Sequence, residues 1–322
     1  MRRRSFFQAA LKRMRRRFAI VHNARAGKAR LHLLNQVVST LLQGGAEVSV
    51  FSAATAAEAT AHVKMLAASQ AADAIVAAGG DGTVRSVVAA LAGTKLPAGV
   101  IPLGTGNVIK YELGLPSDAA AIAHLLRAGP LLKVQTGLVN GQIFLLMVGA
   151  GFDGRIVATL DETAKRRFGR LAYAGPISRG LIAQPQLFDV LADGTRYQAT
   201  WVVVTNAAHY GGSFALTCET QLGANKLIAV IFTGASRATL LANSLALGLG
   251  RLAKSKTRPR GVIAVPVERV SICGVATVCV EIDGDAAGMT PIEISSNGPA
   301  INLIVPDTYV ADVTKRHTNR VL

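Results

Sequence analysis

AIVAAGGDGTVRSVV, residues 74–88, runs an apolar segment into two glycines, an aspartate, and a Gly-Thr that opens a helical pattern. A buried strand ending this way presents one carboxylate on a turn stripped of side chains. The missing side chains let a ligand come against the backbone. The N–H groups beyond lie at a helix N-terminus, where anions are favoured. A phosphate fits such a turn. An aspartate beside a phosphate is repulsive unless a cation sits between them, and Mg2+ is the candidate. A glycine turn whose aspartate caps a helix is the plainer reading of the same residues.

The flanking pattern extends this reading. FAIVHN (18–23) and EVSVFS (47–52) read as strands, LHLLNQVVSTLLQ (31–43) and AAEATAHVKMLAAS (56–69) as helices. DAIVAAG, VRSVVAALAG and AGVIPLG continue the alternation. Strands and helices at this pitch imply parallel β-α-β units with right-handed crossovers. Ligands of such sheets bind past the carboxyl ends of the strands. Two more loops fall there: Gly104-Thr105-Gly106-Asn107 within IPLGTGNVIKYELGLP (101–116), and Asn23-Ala24-Arg25-Ala26-Gly27-Lys28. The P-loop pattern fails, with His22 and Ala29 at its ends, and no G-x-G-x-x-G follows a strand.

Beyond residue 133 the texture changes. Asn140-Gly141 is a hairpin signal, and a helical, basic stretch covers about 155–183. QLFDVLAD, RYQATWVVVTNA, KLIAVIFT, VERVSICG, TVCVEIDGD, IEISS and AINLIVP then read as short strands between Gly/Asp/Asn turns. The expected architecture is α/β. It has a basic segment over 1–17, an N-terminal Rossmann-like three-layer α/β domain over 18–132, and a C-terminal β-sandwich-like domain over 133–304. A tail over 305–322 follows.

Composition sets the outer limits. At 322 residues, two domains are the natural expectation. No apolar run approaches the ~18 residues of a membrane span. Three cysteines, Cys218, Cys273 and Cys279, without a C-x-x-C exclude a disulfide framework and a zinc ribbon and fit a reducing cytosol. Net charge +16 and pI near 10.4 point to anionic partners. MRRRSFFQAALKRMRRR holds eight Lys/Arg and no acid; on a helix Phe6, Phe7, Ala10, Leu11 and Met14 share one face. That pattern suits an interfacial segment on anionic lipid, a basic tail being the plainer alternative. Lys165-Arg166-Arg167 with Arg170, and RLAKSKTRPR (251–260), are further basic clusters. Aromatics are 5% and no nucleic-acid-binding module appears, so no nucleic acid partner is expected.

GGDGT after a strand, with PLGTGN about twenty residues on, resembles the diacylglycerol kinase catalytic domain. That family also holds the sphingosine and ceramide kinases and bacterial lipid kinases. The resemblance covers nearly the whole chain: NARAGK, Thr55, FGRLAYAG (168–175), TNAAHYGG (205–212) and EIDGD (281–285) match its other landmarks. It implies an enzyme that uses ATP and Mg2+ to phosphorylate a lipid hydroxyl, with the nucleotide on the amino-terminal domain and the lipid on the β-rich one. The chain end is implied to return to the first domain. Asn23, Gly27, Thr55, Gly79, Gly80, Gly82, Thr83, Gly104, Thr105, Gly106 and Asn107 are implied to contact ATP, and Asp81 to orient phosphate and Mg2+. Asp285 stands where the family has the acid–base Glu of an Asp-Gly-Glu tripeptide, and its carboxylate sits one methylene further back.

Three other positions depart from the family pattern: Ala24 for Pro, Gln135 for Asp, and Leu222-Gly223-Ala224-Asn225 for an Asp-rich turn that holds a structural Mg2+ in some bacterial members. The leading expectation is a cytoplasmic, peripherally membrane-associated ATP-dependent lipid kinase, with a homodimer open. The alternatives are a degenerate kinase fold that binds nucleotide or lipid without turnover, and an NAD kinase-like enzyme.

Overall fold

The computed structural model describes residues 14–24, 28–104, 106–161, 164, 169–274 and 277–321. The expected alternation opens the chain: β1 (Arg17–Asn23), α1 (Lys28–Gln43), β2 (Glu47–Ala53), α2 (Ala56–Ser69), β3 (Ala74–Gly79), α3 (Asp81–Leu91), β4 (Ala98–Pro102), α4 (Val108–Leu113), α5 (Ala119–Ala128) and β5 (Leu131–Gln135). β1 pairs in parallel with both β2 and β3, Ile20 lying opposite Val50 and Val76, and β3 pairs in parallel with β4. The step from β1 to β2 runs one way and the steps to β3 and β4 run the other. Right-handed crossovers therefore put α1 and α2 on opposite faces. α1 packs with α5 and α2 with α3. Covered on both faces, β3 and β4 are buried at every position, which is why they read as unbroken apolar runs.

The second lobe carries β6 (Gly137–Val139), β7 (Gln142–Phe144), β8 (Met147–Gly151), α6 (Phe152–Ala158), α7 (Ala174–Ile182), β9 (Phe188–Ala192), β10 (Thr195–Ala199), β11 (Trp201–Thr205), β12 (His209–Tyr210), β13 (Phe214–Ala215) and β14 (Leu227–Phe232). It continues with α8 (Arg237–Gly248), β15 (Val262–Val267), β16 (Arg269–Cys273), β17 (Cys279–Ile282), β18 (Asp285–Met289) and β19 (Ile292–Ser295). Two antiparallel sheets form, ordered β10-β9-β16-β19-β6-β7 and β15-β14-β11-β8-β17-β18. Their inner faces, including Val148, Val190, Val204, Ile231 and Ile272, make a core of their own. Alternate residues of β11, Trp201 and Val203, face the other way into the larger core that continues through the first lobe. Trp201 stacks on Phe232 at 3.9 Å there. Asn140 and Gly141 turn β6 into β7 with φ of 46° and 78°, the positive values a primed hairpin turn needs.

The limits between the lobes differ from the expected ones. β5 stays in the first sheet, and the chain returns with β20 (Ala300–Ile304), not after residue 304. β20 inserts between β4 and β5, parallel to the former and antiparallel to the latter. The tail then forms α9 (Asp307–Val321), whose Tyr309 and Val313 are buried in the first-lobe core. Of the basic segment 1–17, residues 1–13 lie outside the described residues. The part that is described is folded into the first lobe: Arg15 donates to the Leu126 carbonyl at 3.0 Å, and Arg17 opens β1 and pairs with Asp73 at 2.8 Å. Arg15 and Arg17 are thus engaged within the protein.

Candidate active site

Between β1 and β3 the direction of winding reverses, and ligands of open α/β sheets settle outside the strand ends at such a point. A cleft of about 550 Å³ lies there. Asn23, Thr55, Gly79, Gly80, Asp81, Gly82, Thr83, Gly104, Gly106 and Asn107 line it from the first lobe, and Asp285 lines it from the second. Gly27 and Thr105 lie outside the described residues. Sequence reasoning missed His22, Ser86, Tyr173 and Asp283, which also line it.

The glycines are demanded by contact. A Cβ on Gly79 would lie 2.3 Å from the Thr83 hydroxyl, and one on Gly104 would lie 2.4 Å from the Gly80 Cα. The two glycine loops are therefore pressed backbone to backbone. Asp81 joins them: its Oδ2 accepts from Val108 N at 2.9 Å and its Oδ1 from Ile109 N at 3.1 Å. The aspartate does cap a helix, but the helix is α4, not the α3 it opens. α3 has Gly80 as N-cap and no side-chain cap, so its first N–H groups are left to a ligand. Burial raises Asp81 to about 6, with Asp283 and Asp285 adding to the rise against the N–H groups of Ile109 and Val108.

Thr55 is the N-cap of α2. Its hydroxyl accepts from Glu58 N at 3.1 Å, and the Glu58 carboxylate accepts from Ala54 N at 2.8 Å, a near variant of the capping box. Two buried polar atoms of the cleft residues, His22 Nε2 and Asn107 Oδ1, have no protein partner. Glycine contacts that no Cβ could enter, an uncapped helix N-terminus and these two atoms all fit a nucleotide with its phosphates on α3. Among the described residues no three metal-ligating side chains converge.

The second lobe brings Asp285 in on the turn between β17 and β18. Asp283 and Gly284 have φ of 49° and 83°, the primed geometry that lets a two-residue turn follow strand twist. Asp283 is buried and accepts from the N–H groups of Leu145, Leu146 and Met147 at 2.8, 2.8 and 2.9 Å. Burial raises its carboxyl, opposed by those N–H groups and by Arg85. Glu281 accepts from Gly284 N at 2.7 Å. Its other oxygen and Asp153 Oδ2 converge over Gly149, where a Cβ would lie 2.0 Å from the aspartate oxygen and 2.8 Å from the glutamate oxygen. Burial raises both carboxyls, Asp153 to about 6 and Glu281 further. Tyr210 donates to the other Asp153 oxygen.

On this base Asp285 reaches across the cleft despite its short side chain. A Cβ on Gly82 would lie 2.5 Å from Asp285 Oδ2, and Arg85 Nη2 approaches the same oxygen at 3.0 Å. Arg85 was not singled out, although it lies one helical turn from Asp81, a spacing that puts both on one face. Glu112 on α4 was missed as well. It is buried, and its carboxylate accepts from Ala208 N, His209 N, His209 Nδ1, Leu222 N and the Tyr309 hydroxyl at 2.8–3.1 Å. The turn at Leu222 is thus tied to α4 and α9 through Glu112.

Comparison with known proteins gives the same order of lobes. The family model for the diacylglycerol kinase catalytic domain matches residues 17–139, and that for the YegS C-terminal NAD kinase beta sandwich-like domain matches 146–305. The chain is 28% identical to the diacylglycerol kinase of Bacillus subtilis (strain 168) over 302 residues, 90% of this chain and 97% of that protein. It is 28% identical over 240 residues to an uncharacterised Synechocystis protein, of whose length it spans 54%. It is also 29% identical over 181 residues to a Klebsiella pneumoniae protein named "Probable lipid kinase YegS-like", 53% of this chain and 60% of that one. Two solved structures of diacylglycerol kinase type from Bacillus anthracis str. Sterne share the fold. They have TM-scores of 0.76 and 0.68 at 22% and 20% identity, cover 95% and 92% of this chain, and are themselves covered over 100% and 98%. Matched in series along both lobes, the chain belongs to the diacylglycerol kinase catalytic domain family of lipid kinases.

Proposed function

We propose that this protein transfers the γ-phosphate of ATP to the hydroxyl of a lipid, diacylglycerol-like or sphingoid, at an anionic membrane surface. The observation that carries the reading is the convergence, on one cleft, of two glycine loops in backbone contact and a carboxylate delivered by the other lobe. Phosphoryl transfer asks a protein mainly for positioning and electrostatic stabilisation. Gly79, Gly80, Gly82, Gly104 and Gly106 give phosphates access to the backbone; Thr83, Thr55, Asn23 and Asn107 add polar contacts. Gly27 and Thr105 belong to the same loops by sequence. Asp81 fixes the two loops against each other and is the carboxylate available to Mg2+. When bound, the ion would neutralise charge on the phosphate oxygens. Asp285 accepts the proton of the attacking hydroxyl.

A lipid acceptor is supported by the outer surface of the second lobe. Leu241, Leu245 and Leu249 are 46%, 58% and 68% exposed at successive four-residue steps on and just past α8. Ile177 and Ile182 are exposed on α7, which packs against α8. The basic run 251–260 follows directly. Apolar residues beside cationic ones suit an anionic bilayer. No described helix is long and apolar enough to cross a membrane.

The test is transfer of γ-labelled phosphate to a bacterial lipid extract, with products separated by chromatography. A labelled lipid that disappears with Asp81→Ala supports the kinase. ATP binding without any labelled lipid leaves the nucleotide-binding, non-transferring alternative.

A further inference from the structure

Asp285 is the group the proposed chemistry needs free, yet it is held. Arg85 Nη2 lies 3.0 Å from its Oδ2, with the two side chains 21% and 44% exposed. The same oxygen lies 2.5 Å from where a Cβ on Gly82 would be, so the carboxylate sits against the first turn of α3. Asp81, Asp283 and Asp285 all line this cleft. Asp283 and Asp285 both raise Asp81, and Arg85 lowers Asp283. A polyphosphate entering the cleft meets this anionic group with Arg85 as the cation among it.

The geometry points to Arg85 as a positioning residue that exchanges partners. In the free protein it clamps Asp285 to α3. When nucleotide occupies the α3 N-terminus, its guanidinium turns to the terminal phosphate and releases Asp285 toward the lipid hydroxyl. This rests on the kinase reading above. Arg85 lies three residues past Gly82, about 4.5 Å along the helix axis, within the reach of an arginine side chain. A guanidinium fork binds phosphate and carboxylate in the same planar, two-point way, so a more highly charged phosphate can displace the carboxylate. The base is then unmasked only once the donor is in place.

The full-length protein with Mg2+ is titrated with fluorescent (N-methylanthraniloyl) ADP and with the matching β,γ-imido ATP analogue, for the wild type, Arg85→Met, Arg85→Lys, Asp285→Asn and the Arg85→Met/Asp285→Asn double variant. Arg85→Met is expected to weaken the triphosphate analogue about tenfold or more and ADP less than about threefold. Arg85→Lys falls between. Asp285→Asn, by freeing the fork, tightens the triphosphate about threefold or more, and the double variant loses that gain. Circular dichroism checks that each variant folds. A residue that only clamps the lobes lowers the melting temperature when replaced but leaves the triphosphate-to-diphosphate ratio unchanged, and that result overturns the exchange while leaving the kinase reading intact. A folded wild-type protein that binds neither nucleotide overturns both.

Discussion

Two turns face each other across the cleft, each with an aspartate beside glycine, and they hold their carboxylates in opposite ways. Asp81, at the end of β3, gives both oxygens to backbone N–H groups of a neighbouring helix. Asp285, past the β17–β18 turn, touches a side chain and is nearly half exposed. Backbone partners fix a carboxylate for good; a side-chain partner leaves it exchangeable. The supports beneath the second turn show the same division. Asp283 and Glu281 bind main-chain N–H groups and hold the turn still, so that only Asp285 has room to move.

Removing the fixed partners should cost most. Asp283→Ala strands three buried N–H groups, and the loss should be about 3 kcal/mol or more in urea unfolding. Asp285→Ala should change stability by less than about 1 kcal/mol, as expected for a partly exposed ion pair, while abolishing transfer to lipid. Equal unfolding losses for the two variants would erase the contrast. Asp81→Ala should do both: loss of transfer, and about 1–2 kcal/mol from the uncapped α4.

Asp285→Glu restores the missing methylene and should keep or raise the transfer rate; a rate as low as that of Asp285→Ala would remove chain length from the argument. The smallest effect is on pH dependence. Burial raises Asp81 and Asp153 to about 6, so between about pH 4 and 6 the folded protein holds protons that the unfolded chain has released. Their contribution to stability rises as pH falls from 7 to 5 and levels off near the unfolded carboxyl value, about 4. Calorimetry at pH 7 and 5 should show a shallower rise for Asp81→Asn than for the wild type.

What the sequence made legible follows from distance along the chain. The glycine loops and the Asn140-Gly141 turn were readable because their chemistry is local: a strand end, a positive φ, a helix start. Short strands between Gly/Asp/Asn turns placed the sandwich. The pairing of Arg85 with Asp285 joins residues 200 apart, and no local pattern encodes it. Asp81 was read as a cap or a metal ligand, yet its partner helix begins 27 positions on. Glu281 and Asp153 lie far apart in sequence, and only the fold brings both carboxylates over Gly149.

The insertion of β20 between β4 and β5 has a consequence for how the protein is made. The first lobe cannot close its sheet until residues 300–304 have left the ribosome. Until then, β4 has one unpaired edge, and the strand that covers it comes from the far end of the molecule. Nascent chains that stop within the sandwich carry the complete set of phosphate loops on a sheet with an open side, a surface prone to pairing with other chains. The nucleotide side of this protein is therefore translated first and finished last.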